Sequence, residues 1–241
     1  MKAEFLKIRS MPTPVWTAVA MLICFLGGAA ATIAWGVGDE DIVLDIAIGL
    51  PTMIGSLVLG SWLAGVEFGQ NTLRRVLSAD PRRIRLVLVK LAVLLLVVLT
   101  ATTLLMAAGY LIYSVTGSGH ATRMDAGVAA RIWGAALVTN ITYAVAGFSL
   151  TLLTRSMAGG MALTFAFFFV LDGMLSMIPK LGDFTIGIAL SDVDLAIRGQ
   201  SDGIFDSTAT NDAWIASIVL VGWLVAFAVL GVMQMVRTEV R

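Results

Sequence analysis

Asp172 is the one carboxylate set deep inside a long apolar run of this chain. An ionisable side chain in such a place is a candidate for ion coupling or substrate contact. It has a plainer reading too: a carboxylate facing a solvated cavity, or reaching outward to the headgroups. Asn140 and Tyr143 fall on one face of the preceding apolar run, with Gly147 nearby. Polar and small residues so spaced serve helix packing in membranes more often than substrate binding. Thr100, Thr102 and Thr103 can bond back to their own helix carbonyls. Other chemistries fail on inventory. Ser118 and His120 lie together in a loop, where they cannot make the nucleophile–base geometry of a serine protease. An aspartyl intramembrane protease needs two opposed carboxylates. Cys24 and His120, the single cysteine and histidine, are too few for a zinc or copper site or a disulfide framework. No phosphate-binding Gly-x-x-x-x-Gly-Lys-Ser/Thr loop occurs, so nucleotide chemistry needs a partner.

The second chemistry-bearing group is a basic segment, 67–85. Wound on a helix at about 100° per residue, Phe68, Thr72, Leu73, Val76 and Leu77 fill one half of the wheel. Glu67, Gln70, Asn71, Arg74, Arg75 and Ser78 fill the other. Such segregation suits a helix lying in an interface rather than a solvated linker. Asp80 then caps a restart and Pro81 suits its first position, with Arg82, Arg83 and Arg85 following. Arginines touching anionic lipid would explain the charge, but not the helix, turn and capped restart.

The elements that hold these residues are transmembrane. Hydrophobic residues make up 59% of the 241 and charged ones 13%, with a mean hydropathy of +0.93. A soluble chain this apolar could not cover its surface. Zero net charge suggests no nucleic-acid partner. About 20 apolar residues cross the hydrocarbon core as helix. Six stretches qualify: 15–37, 46–66, 86–115, 132–154, 157–178 and 213–236. The first reads as a retained span rather than a cleaved signal, because its apolar run continues past Ala29-Ala30-Ala31 to Ile33 and Trp35. Lys90, early in the third, is expected to snorkel to the headgroups.

Basic residues set the orientation. With the N-terminus cytoplasmic, twelve of the sixteen lysines and arginines fall inside and four outside, while eleven of the sixteen acidic residues fall outside. The 67–85 loop is then cytoplasmic and the 179–212 loop external. In the latter, Ser191 and Asp194 resemble a capping box, and Gly199 suits the end of a short helix whose apolar side is Val193, Ala196 and Ile197. Phe184, Ile186, Ile188 and Leu190 are too apolar for a free loop. The expected fold is an all-α polytopic membrane protein of six helices. An amphipathic N-terminal helix precedes the first span, a cytoplasmic coupling helix joins spans two and three, and short external helices join spans five and six.

Gly65, Glu67, Gly69, Thr72, Arg74, Val76-Leu77, Ser78, Pro81, Arg83 and Lys90 form a pattern that resembles the ABC type-2 permease family. The start, Ala3-Glu4-Phe5-Leu6-Lys7-Ile8-Arg9-Ser10 followed by Trp16, is similar to that family's amphipathic leading helix. The resemblance implies one transmembrane half of an exporter in a bacterial or archaeal plasma membrane, beside a second permease copy, identical or homologous. A separate ATPase subunit, in two copies, would hold ATP and magnesium and seat Glu67, Gly69, Gln70, Thr72, Arg74, Arg75, Ser78, Arg82 and Arg83. This chain would carry no cofactor of its own. Asp172, Asn140 and Tyr143 are candidates for the substrate path. Alternatives are an ion-coupled secondary transporter using Asp172, or a non-transporting scaffold or immunity protein.

Overall fold

A computed structural model describes residues 12–35, 40–69, 83–116, 126–199 and 209–237, and every regular element among them is helical. The helices are α1 (Pro12–Trp35), α2 (Glu40–Gly69), α3 (Arg83–Thr116), α4 (Ala126–Thr154), α5 (Met157–Ser176), α6 (Ile186–Arg198) and α7 (Ala213–Arg237). Among the described residues five stretches are long and apolar enough to cross a membrane: Gly49–Phe68, Ile84–Ile112, Ala126–Thr154, Met157–Ser176 and Ala213–Met235. The apolar part of α1, Pro12–Gly28, is shorter. A multi-pass membrane protein follows. The amphipathic N-terminal helix falls on residues outside the described ones.

Two helices form the interior. In α2 and α4, 67% of the apolar window is buried, against 28%, 17% and 22% in α3, α5 and α7. The latter three therefore leave most of their surface exposed, and α2 against α4 is the most extensive helix pair. Their approach is close because small residues line it. A Cβ on Gly60 would overlap the Ala144 carbonyl oxygen, and one on Gly147 would stand 2.7 Å from the Leu57 carbonyl oxygen. The Ser61 hydroxyl donates to the Gly147 carbonyl at 3.3 Å. Between apolar helices in lipid, such contact and cross-helix hydrogen bonds replace the hydrophobic drive available in water.

Both interior helices are longer than their apolar runs. Helix α2 begins at Glu40 and α4 at Ala126, where the sequence suggested 46 and 132. At the other end α2 continues through Gly69, so Glu67 belongs to the span itself. That corrects its assignment to a separate interfacial helix.

The α4–α5 connection is a tight hairpin. Arg155 takes a left-handed conformation, φ 54°, and the Ser156 hydroxyl caps α5 by accepting from Gly159 N–H at 3.2 Å. Further along α5, residues Phe167–Leu171 make a π turn in which Asp172 N–H donates to the Phe167 carbonyl. The extra residue in that turn advances everything after it around the axis. Asp172 is the first residue so displaced.

Candidate functional site

Asp172 turns towards α6. Its side chain is buried, and both carboxylate oxygens accept from the Gly187 amide, at 3.2 and 3.1 Å. Thr185, the residue at the N-cap position of α6, provides no side-chain cap of its own. Asp172 supplies it from another helix, placing negative charge where α6 exposes unpaired amides and the positive end of its dipole. A Cβ on Gly187 would overlap Asp172 Oδ2. Glycine is needed here for close approach rather than for any unusual backbone angle. The carboxylate is buried and engaged; it holds the start of α6 in place.

The pattern repeats one helix later. Asp192, buried on α6, accepts from Thr210 N–H at 2.9 Å and from Asn211 N–H at 3.0 Å, just ahead of α7. Asn211 Nδ2 donates both to Asp192 at 3.1 Å and to the Asp183 carbonyl at 2.7 Å. The far end of α6 stops at Gly199, φ 72°, as its sequence suggests, and there Arg131 of α4 donates to the Arg198 carbonyl at 3.2 Å. The expected capping box is absent, because α6 starts at Ile186. Ser191 and Asp194 lie within the helix, and Asp194 pairs instead with Arg198 one turn on, at 2.7 Å. Thus α6 is fastened by α5 at its start, by the residues leading into α7 midway and by α4 at its end.

Asn140 and Tyr143 do not share a site. Asn140 is fully buried, and its Nδ2 donates at 2.9 Å to both Thr52 of α2 and Thr102 of α3. Tyr143 instead stacks on Phe168 in the π turn of α5, with ring centroids 4.1 Å apart. Phe168 meets Phe167 edge-on, and Phe167 meets Trp223 and Phe227 of α7. Residues three apart on a helix differ by about 60° in direction. On a helix with neighbours on every side, that is enough to separate their partners.

At the opposite end of the bundle stands the largest departure from expectation. Glu67 and Lys90 are both buried, at 3% exposure each, and pair with each other at 3.2 Å. Lys90 also donates to the Leu63 carbonyl at 2.8 Å, one turn below Glu67 on α2. Lys90 therefore does not snorkel, and Glu67 presents no carboxylate for a partner to grip. Trp62, Leu63, Val66, Val87 and Leu94, near the pair along α2 and α3, belong to one buried apolar cluster.

Set against known protein families and curated proteins, the chain matches none. The other expected coupling residues divide simply. Gly69 ends α2, and Arg83 opens α3 where a capped restart was expected. Gln70, Thr72, Arg74, Arg75, Ser78 and Arg82 lie outside the described residues. Asp80 and Pro81, and also Ser118 and His120, lie outside them too. Sequence reasoning missed the Glu67–Lys90 pairing and the role of Asp192. The available signal for the first was opposite charges at the facing ends of two consecutive apolar runs. Among the described residues no group of histidine, cysteine and carboxylate side chains could hold a metal ion.

Proposed function

We propose that this chain is the transmembrane subunit of an ATP-driven exporter. It crosses the membrane six times with both termini cytoplasmic, α1 counted among the spans. It lines a substrate path with a second permease copy, identical or homologous, and draws energy from two copies of a separate ATPase subunit. ATP and magnesium belong to that partner. The membrane is the plasma membrane of a bacterium or archaeon. The observation that carries this reading is the basic 67–85 segment, whose Gly69, Thr72, Arg74, Pro81 and Arg83 resemble the ABC type-2 permeases. It is supported by where that segment is rooted. It leaves α2 and enters α3 at one end of the bundle, and those helix ends are tied together there by Glu67 and Lys90. A force on the segment would therefore reach two spans. Nucleotide acts only through its differential binding to the two states of the assembly, so a stiff connection is what such an engine requires. The lipid-facing surfaces of α1, α5 and α7 also leave ample room for a second permease.

Ion coupling through Asp172 gains no support, since its carboxylate is engaged in holding α6. Glu67 acts within the fold, and the docking role rests on Thr72, Arg74, Arg75 and their neighbours. The test is extraction of the chain in mild detergent from its native membrane. A stoichiometric nucleotide-hydrolysing subunit should accompany it, and Arg74→Glu should release that subunit, or uncouple its hydrolysis, while insertion stays normal. Purification without any ATPase overturns the exporter reading in favour of a scaffold or ion-coupled carrier.

A further inference from the structure

We propose that Asn140 and Ser56 hold a single buried water molecule between them, where α2, α3 and α4 meet in the middle of the bundle. Nothing in this site depends on the exporter reading.

The amide of Asn140 is only half used. Both hydrogens of Nδ2 are committed, to Thr52 of α2 and Thr102 of α3, each at 2.9 Å. Oδ1 accepts from no donor among the described residues, although Asn140 is only 1% exposed. Turning the amide over offers no relief. Thr52 would have to donate to Asn140 instead of the Gly49 carbonyl, which it now reaches at 3.3 Å, and the two Nδ2 hydrogens would need new acceptors. Nor does bulk solvent reach the group. Asn140 lies midway along the α4 span Ala126–Thr154, about 21 Å from either end. An unpaired amide oxygen at that depth is costly, and an internal water is the small donor that meets such a group in folded proteins.

A water needs more than one polar partner to stay in place. Ser56 is the second. Thr52, Ser56 and Gly60 follow one another at four-residue spacing on α2 and share a face. That face is turned to α4 at both of its ends. Thr52 accepts from Asn140, and a Cβ on Gly60 would overlap the Ala144 carbonyl oxygen. Asn140 and Ala144 are themselves one turn apart on α4, so Ser56, 2% exposed, lies opposite the stretch between them. Its hydroxyl is in register with the amide without being the donor that Oδ1 needs. Ala136 and Ala144, one turn to either side of Asn140, flank it with short side chains. A water that donates to Asn140 Oδ1 and bonds the Ser56 hydroxyl satisfies the amide and leaves its threonine bonds intact, because a hydroxyl can accept or donate as required.

Asparagine occurs three times in the chain, at Asn71, Asn140 and Asn211, so asparagine-selective isotope labelling isolates the site. The test is solid-state NMR of the full chain in lipid bilayers, with the Asn140 signals identified by their loss in Asn140→Leu. Magnetisation started on water should reach Asn140 Cγ at short mixing times in wild type, despite its burial. Ser56→Val removes one partner and fills the space with methyl groups. It should cut that transfer about threefold or more, while the Asn140 Nδ2 shift, which reports the two threonine bonds, stays where it was. A density map fine enough to show ordered water should place one within hydrogen-bond distance of both Asn140 Oδ1 and Ser56 Oγ. A dry Asn140 in wild type overturns the proposal. So does undiminished transfer in Ser56→Val, which would mean that water reaches the amide by another route. A map with Ser56 Oγ directly on Asn140 Oδ1, or with a water that touches Oδ1 but not Ser56, overturns it as well. Should Ser56→Val move the Nδ2 shift, the junction itself has changed, and the wild-type transfer and the map decide.

Discussion

Gly187→Ala is the most informative single change, because its sign depends on a residue fifteen positions away. Taken alone, alanine within a helix is better than glycine by about 0.5–1 kcal/mol. Here the new Cβ would overlap Asp172 Oδ2 and drive the carboxylate off the Gly187 amide. A hydrogen bond to a charged group is worth about 1.5–3 kcal/mol, and capping removals cost about 0.5–2 kcal/mol. The carboxylate is buried, so solvent compensates little. Gly187→Ala should therefore cost about 1–2 kcal/mol net in wild type. In an Asp172→Ala background nothing remains to collide with, and the same substitution should be neutral or stabilising by up to about 1 kcal/mol. The coupling between the two positions is then about 2 kcal/mol, well outside the additivity expected of independent sites. The assay is equilibrium unfolding by SDS titration in mixed micelles, followed by circular dichroism, on the four proteins of the cycle. Equal destabilisation by Gly187→Ala in both backgrounds would refute the capping role of Asp172.

Asn140→Ala should lower stability in the same titration by about 1–2 kcal/mol, the upper range for hydrogen bonds between membrane helices, since two are lost together; no change would mean the threonines re-pair locally. Gly60→Leu should abolish the α2–α4 approach and leave chain that inserts but fails to resist mild detergent, whereas a fully stable variant would contradict the close contact with Ala144. Arg155→Gly should raise stability by about 0.5–1 kcal/mol by relieving the left-handed backbone of the α4–α5 hairpin. A loss there would show that the arginine side chain matters more than its backbone.

Hydropathy made the long apolar helices readable, because burial in lipid imposes a length and a composition that need no knowledge of neighbours. Partners were not readable in the same way. Asp172 stands out in any scan for charge, but its position relative to α6 depends on the π turn at Phe167–Leu171, which no residue type announces. Asn140 and Tyr143 share a helical wheel face, yet α4 touches five other helices, and a small angular offset decides which of them each side chain meets. Glu67 and Lys90 each had a sensible solitary reading, one as a docking group and one as a snorkelling cation. Only the crossing of α2 over α3 makes them a pair. The end of α6 was legible because Gly199 marks a left-handed cap, while its start was not, because the capping carboxylate comes from outside the local sequence.

In the order of synthesis, each of the two buried aspartates emerges before the amides it accepts from. The amide at Gly187 meets its carboxylate only after α5 is in place, and the carboxylate on α6 then waits for Thr210 and Asn211, which a ribosome delivers later still. Each fastening uses a group already laid down to receive one just emerging, so the C-terminal half of the bundle can close like a row of buttons done up in order. A lesion at the first of them would be felt furthest along, in the seating of α7.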